Sequence, residues 1–118
     1  MIYFGFAIAD GMFPSASTAT RRPISVDEVK SKMAAGYTSC CNPQHKATNA
    51  AAKARYNLDI TVPEKAPMVS LKVGDEVIVM SVRGLPRLEE NRHEYHDEEI
   101  AKATFSFGLW TVTAAGAV

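Results

Sequence analysis

The chain has little sulfur and no excess of charge. Its 118 residues include two cysteines, Cys40 and Cys41. Neighbouring positions cannot close a useful structural loop, so no disulfide framework is expected, and two reduced thiols fit a cytosolic protein. Lysine plus arginine number 13, as do aspartate plus glutamate, so the formal net charge is zero. This balance argues against coating duplex DNA, which takes a clear basic excess. Long nucleic acid is therefore not an expected partner, while a small anionic ligand stays open. The apolar start, residues 1–9, is too short to span a bilayer and has no basic run before it, so neither a transmembrane helix nor a signal peptide is expected. No P-loop, dinucleotide fingerprint or Ser-His-Asp order is present, nor any repeat or low-complexity tract. What is there is an ordinary soluble composition, 47% hydrophobic and 22% charged, long enough for one buried core. A single domain over residues 2–113 is expected, with 114–118 a frayed tail.

Residues 2–9 mix aromatic and aliphatic side chains without charge, as a buried first strand does, and stop at Asp10-Gly11. Residues 13–23 are rich in Ser, Thr and Pro and read as an exposed loop. Ser25-Val26-Asp27-Glu28 is a capping box, in which hydroxyl and carboxylate each satisfy an orphan amide. Val26, Val29 and Met33 share one face of the helix it starts, and Gly36 ends it. After a short strand at 37–41, Asn42-Pro43 opens a second helix, with Asn as N-cap and Pro where its missing amide costs nothing. Ala47, Ala50, Ala51 and Ala54 form its small-residue side, and it stops near Tyr56-Asn57. Residues 63–67 are a linker; Val69 and Leu71 alternate as in a half-exposed strand; Gly74-Asp75 turns into a central strand at 77–82. A polar stretch at 83–96 precedes a short helix at 97–103 with acids at its start, and Phe105, Phe107 and Leu109 alternate in a final strand. These elements predict an α+β fold: a mixed sheet of about five strands with helices packed on it.

Two places could carry chemistry. The run Asn42-Pro43-Gln44-His45-Lys46-Ala47-Thr48 sets an imidazole in the first turn of a helix, where free amides and the dipole favour anions. A phosphate there would meet His45, Lys46 and Thr48, and a protonated His could give its proton to a departing ribose oxygen; the plain alternative is a surface histidine near an N-cap. The second place, Arg83-Gly84-Leu85-Pro86-Arg87-Leu88-Glu89-Glu90, follows the central strand, where loops often carry function. Arginine grips phosphate bidentately and a carboxylate orients a hydroxyl or another Arg; the plain alternative is a solvated loop. Residues 83–99 hold three basic and six acidic side chains, leaving ten basic and seven acidic elsewhere. The zero total thus hides a segregation, with Arg21, Arg22, Lys46, Lys53 and Arg55 outside the acidic segment. Cys40, Cys41, His45, His93 and His96 match no structural zinc spacing, so neither metal nor cofactor is assigned. Cys41 before a helix is a conceivable nucleophile, since the dipole lowers a thiol pKa.

Taken in order, Ile8-Ala9-Asp10-Gly11, Ile24-Ser25-Val26-Asp27-Glu28-Val29, His45 with Thr48, Val73-Gly74-Asp75-Glu76-Val77-Ile78-Val79 and Phe107-Gly108-Leu109 resemble the viral ring nucleases. These are type III anti-CRISPR proteins of archaeal viruses and phages, and the likeness spans residues 2–112. The resemblance implies a homodimer that binds cyclic tetra-adenylate, a defence second messenger, across the subunit interface and cuts it without metal in the host cytoplasm. It implies His45 as the general acid that protonates the leaving ribose oxygen. It implies Arg87 and Glu90 as the Arg-x-x-Glu pair that holds the phosphate and orders the catalytic group, with Arg83 competing for the Arg position. Ala9, Gly11, Asn42, Lys46, Thr48 and Arg83 are then the ligand-binding candidates.

Gln44 and Ala47 stand where the family often has Gly and Ser, and Phe6 and Ala9 lie where an Asn and a Ser are common. Two functions from different classes follow. One is a metal-independent phosphodiesterase that opens a cyclic oligoadenylate to products bearing 2',3'-cyclic phosphate. The other is a non-catalytic sponge that sequesters a nucleotide signal, such as a cyclic dinucleotide or an ADP-ribose derivative. A small regulatory or structural dimer of a mobile element is the third, blander option.

Overall fold

A computed structural model describes residues 1–13, 16–86, 88 and 94–115. Strands β1 (Ile2–Gly5), β2 (Ser17–Pro23), β3 (Thr38–Ser39), β4 (Glu76–Arg83) and β5 (Thr104–Ala115) form one sheet in the order β2-β5-β4-β1-β3. β1 runs parallel to β3 and β4, whereas β5 runs antiparallel to β4 and β2, so the sheet is mixed. Helices α1 (Val26–Ala34), α2 (Lys46–Tyr56) and α3 (Asp97–Lys102) complete an α+β fold. None of the described helices is long and apolar enough to cross a membrane.

Strand periodicity sorts the apolar residues onto two faces. On one, Phe4, Ile78, Met80, Phe107 and Leu109 pack with Val29 of α1, Ala52 of α2 and Leu58 in the main core. On the other, Val77 and Val112 pack with Leu71, and Tyr3, Val79 and Trp110 lie partly buried beside Ile8, Met12, Phe13 and Val69. Helices cover the first face and irregular segments the second. β4 sits at the centre because its apolar run can face both layers.

Helix ends follow local chemistry. Ser25 Oγ accepts the Glu28 amide at 3.2 Å, half of the expected capping box. The Glu28 carboxylate instead pairs with the Arg22 guanidinium of β2. This hydrogen bond holds the Glu28 carboxyl below its ordinary range and the Arg22 guanidinium above its own. The contribution of Glu28 is therefore present above its unfolded pKa and fades only as pH falls through the lowered folded value. Gly36, at φ 108°, donates its amide to Met33 and ends α1, a left-handed step that glycine takes without strain. Asn57 does the same for α2 at φ 58°. Ser25→Ala should cost about 1 kcal/mol by losing the cap, checked by a lower urea midpoint at unchanged slope.

Several boundaries differ from the sequence expectations. The loop expected at 13–23 contains β2, whose side chains are mostly exposed and show no apolar alternation. Its strand character comes from pairing with β5, from Ser17–Ala115 to Pro23–Gly108. Arg21, Arg22, Pro23 and a register shift between Thr18 and Ala19 blunt this edge against unwanted pairing. That ladder also carries β5 to Ala115, past Thr113, while residues 116–118 lie outside the described part. β1 ends at Gly5 rather than Ala9, because its pairing with β4 stops at Gly5–Val79. Val69 and Leu71 form no strand; their segment meets residue 12 through the Leu71 amide, which donates to the Met12 carbonyl at 2.7 Å. On α2 the inward residues are Asn49, Ala51 and Ala52, with Ala50 and Ala54 exposed. The alanines are too alike in size and polarity to mark the buried stripe.

Candidate functional site

The start of α2 is built by three consecutive signals. β3 ends at Ser39, Asn42 accepts the His45 amide at 2.9 Å, and Pro43–His45 forms a 3-10 turn that feeds the helix. His45 is delivered against Phe6, just beyond β1, with ring centroids 4.5 Å apart and planes at 69°. One helical step of three residues brings Thr48 to the same side. His45 and Thr48 line a cleft of about 460 Å³ with Phe6, the β4 residues Met80, Ser81 and Val82, and Leu85 and Tyr95 from the segment that leads to α3. The cleft lies at the carboxyl ends of the parallel strands β1 and β4.

Its lining is divided evenly between polar and apolar residues: His45, Thr48, Ser81 and Tyr95 against Phe6, Met80, Val82 and Leu85. His45 Nδ1 is buried without a hydrogen-bond partner, so chemistry in the cleft falls to Nε2. Such a ring can donate or accept a proton there, and Thr48 and Tyr95 can hydrogen-bond a bound oxygen.

Other sequence-selected residues are spread out. Asn42 and Lys46 are exposed beside His45, and Arg83 is exposed at the end of β4. Ala9 caps a 3-10 turn at Asp10–Met12, its carbonyl taking the Met12 amide at 3.0 Å. Gly11 lines a different cleft, of about 790 Å³, with Asp10, Phe13, Ala16, Ser17, Ala19 and Trp110, on the opposite face of the sheet. Gly11 is thus not brought to the cleft of His45, nor does Ala9 line that cleft. Arg87 and Glu90 lie outside the described residues, as does His93.

Four of the five basic residues that the charge arithmetic set apart, all but Lys46, have contacts elsewhere. Arg22 pairs with Glu28 and Lys53 with Asp59, the latter at 3.8 Å. Arg55 donates to the carbonyls of Ile100, Ala101 and Ala103 at 2.9–3.1 Å and lies over the Tyr56 and Phe105 rings. It thereby gives the carbonyls at the end of α3 a side-chain donor. Arg21 lies across Gly108, where a Cβ would stand 2.9 Å from its Nε.

The Cys41 thiol is a core group, 1% exposed, facing the Phe4 carbonyl at 4.0 Å, rather than a nucleophile open to a ligand. Burial, helped by Cys41 beside it, pushes the Cys40 thiol up from its ordinary range. Cys40 should therefore react with iodoacetamide at neutral pH more slowly than free glutathione. Equal rates in mass-spectrometric labelling would contradict this. Among the described residues no three His, Cys, Asp or Glu side chains gather as a metal site.

Sequence reasoning passed over Ser81, Tyr95 and Asn49. Ser81 is the lone polar residue in the expected central strand, which is a legible signal. Asn49 interrupts an alanine-rich run four residues after His45, and only burial exposes its oddity.

No protein-family model matches the chain, and no curated protein matches it. Among solved structures it is similar to B116 of Sulfolobus turreted icosahedral virus, with TM-score 0.67 and 17% sequence identity over 93% of this chain and 97% of that chain. At that identity the likeness is one of fold: the chain shares the α+β architecture of this viral protein along nearly the whole length of both.

Proposed function

We propose that the chain is a viral anti-defence protein that binds a cyclic oligoadenylate at a homodimer interface and opens it by metal-independent phosphodiester cleavage. The observation that carries this reading is His45 with Thr48 in one cleft at the carboxyl ends of parallel strands, where open sheets tend to take ligands. The fold likeness to a virus protein agrees with the source that the sequence resemblance implies.

In the proposed step a ribose 2'-hydroxyl attacks the adjacent phosphorus and releases its proton to solvent. The bond from phosphorus to the 5'-oxygen breaks, and the protonated His45 gives its Nε2 proton to that oxygen. The products carry a 2',3'-cyclic phosphate and a 5'-hydroxyl, so atoms and charge balance without a metal. Thr48 supplies a hydroxyl toward the phosphate or ribose. Arg87 and Glu90 are proposed, from the resemblance, to hold the phosphate and order His45. A two-fold dimer would offer each group twice to a symmetric ring.

Incubation with cyclic oligoadenylates, followed by chromatography before and after heat denaturation, tests the proposal. Linear product supports cleavage. Intact ring released on heating overturns it in favour of a non-catalytic sponge, and a melting temperature that no nucleotide shifts overturns both.

A further inference from the structure

Asn49 is 5% exposed, and neither its amide oxygen nor its amide nitrogen has a hydrogen-bond partner. One turn earlier, His45 Nδ1 is also buried and unpaired. Buried polar atoms are nearly always satisfied, commonly by a bound water when no side chain reaches them. Here, orphaned atoms occur on two side chains four positions apart, His45 at the N-cap of α2 and Asn49 in the first turn of the helix. Ala51 and Ala52 farther along α2 are apolar, and the ring contact of His45 is Phe6.

We infer that Asn49 is a positioning residue for His45, its Oδ1 accepting the Nδ1 proton through one bridging water. The inference rests on the reading of His45 as a proton donor from Nε2. Once the imidazolium has given up its Nε2 proton, the neutral ring left behind carries its hydrogen on Nδ1. An acceptor for that hydrogen stabilises both the imidazolium and the ring after transfer, and fixes the plane in which Nε2 meets the cleft. Free imidazoles favour the other tautomer, so the device leaves a signature. Tyr95 lines the same cleft, and Lys46 is exposed and next in sequence. Lys46, an ammonium, has no acceptor to offer the Nδ1 hydrogen.

The test uses full-length protein with 15N-labelled histidine, the His45 signals being assigned by their loss in His45→Gln. At a pH where the ring is neutral, the wild type should hold the Nδ1–H tautomer. Asn49→Leu should move the ring to Nε2–H, whereas Asn49→Asp, which keeps an acceptor oxygen, should retain Nδ1–H. With cyclic tetra-adenylate as substrate, kcat should fall about tenfold in Asn49→Leu, the worth of one hydrogen bond, at unchanged KM, and recover in Asn49→Asp. Should leucine overpack the site, Asn49→Ala repeats the measurement. A tautomer unchanged in a folded Asn49→Leu or Asn49→Ala protein overturns the inference. A tautomer that shifts as stated in a protein that cuts no ring supports the role of Asn49 and removes the cleavage reading instead.

Discussion

His45→Ala should slow ring opening by about 10²–10⁴-fold while leaving ring binding nearly intact. The asymmetry follows from where the imidazole acts. A general acid contributes roughly that factor because its proton moves only in the transition state, whereas the ground-state ring would also meet Thr48, Tyr95 and the aromatic wall. The kinetic signature is a drop in kcat with little change in KM. Single-turnover chromatography gives the rate, and the ligand-induced shift in melting temperature gives the binding. A rate within tenfold of the wild type would remove His45 from the chemistry; loss of the melting shift together with the rate would make it a binding residue. The ring of His45 packs on Phe6 at 4.5 Å, so His45→Gln, which keeps much of the volume and a hydrogen-bonding end, is the matched control for packing.

Phe4→Ala is the substitution expected to harm the fold most. Phe4 is wholly buried, lies at the centre of the main core, and meets Tyr37 edge-to-face with centroids 6.5 Å apart. Its carbonyl also takes the Cys40 amide at 2.8 Å, tying β1 to the segment that leads into α2. Removing a buried phenyl costs about 3–5 kcal/mol in transfer and cavity energy, a fall in melting temperature on the order of 10–20 °C for a domain of this size. Equilibrium urea unfolding measures it directly. A loss under about 1 kcal/mol would mean that α2 collapses onto the vacated space, contrary to close packing in protein interiors.

Legibility in the sequence tracked the physics of each segment. β4 announced itself through a nearly continuous apolar run, and α1 through Ser25 at its start and Gly36 at its end, because those signals act over one helical turn or one strand. β2 was hidden: its Ser, Thr and Arg side chains face solvent, and only the β5 backbone makes it a strand. The inward side of α2 was misread because alanines carry no preference that separates Ala50 from Ala51. For the site, the Asn-Pro turn fixed where His45 enters α2, and the three-residue step fixed Thr48 beside it. Tyr95 and Ser81 join them through the long-range pairing of β4 with β1 and the return toward α3, which no local pattern encodes. The charge segregation proved a poor guide, since Arg22, Lys53 and Arg55 each have a structural partner far from His45.

Arg55 gives that last point a mechanical meaning. It stands at the far end of α2, about 15 Å along the helix from His45 at the usual rise per residue, and grips the end of α3 by three carbonyls. One wall of the cleft is the start of α2; another is Tyr95, just before α3. The two walls are therefore the free arms of a clamp whose rivet is Arg55. The spacing of the two cleft walls thus rests in part on Arg55, a residue that lines neither of them.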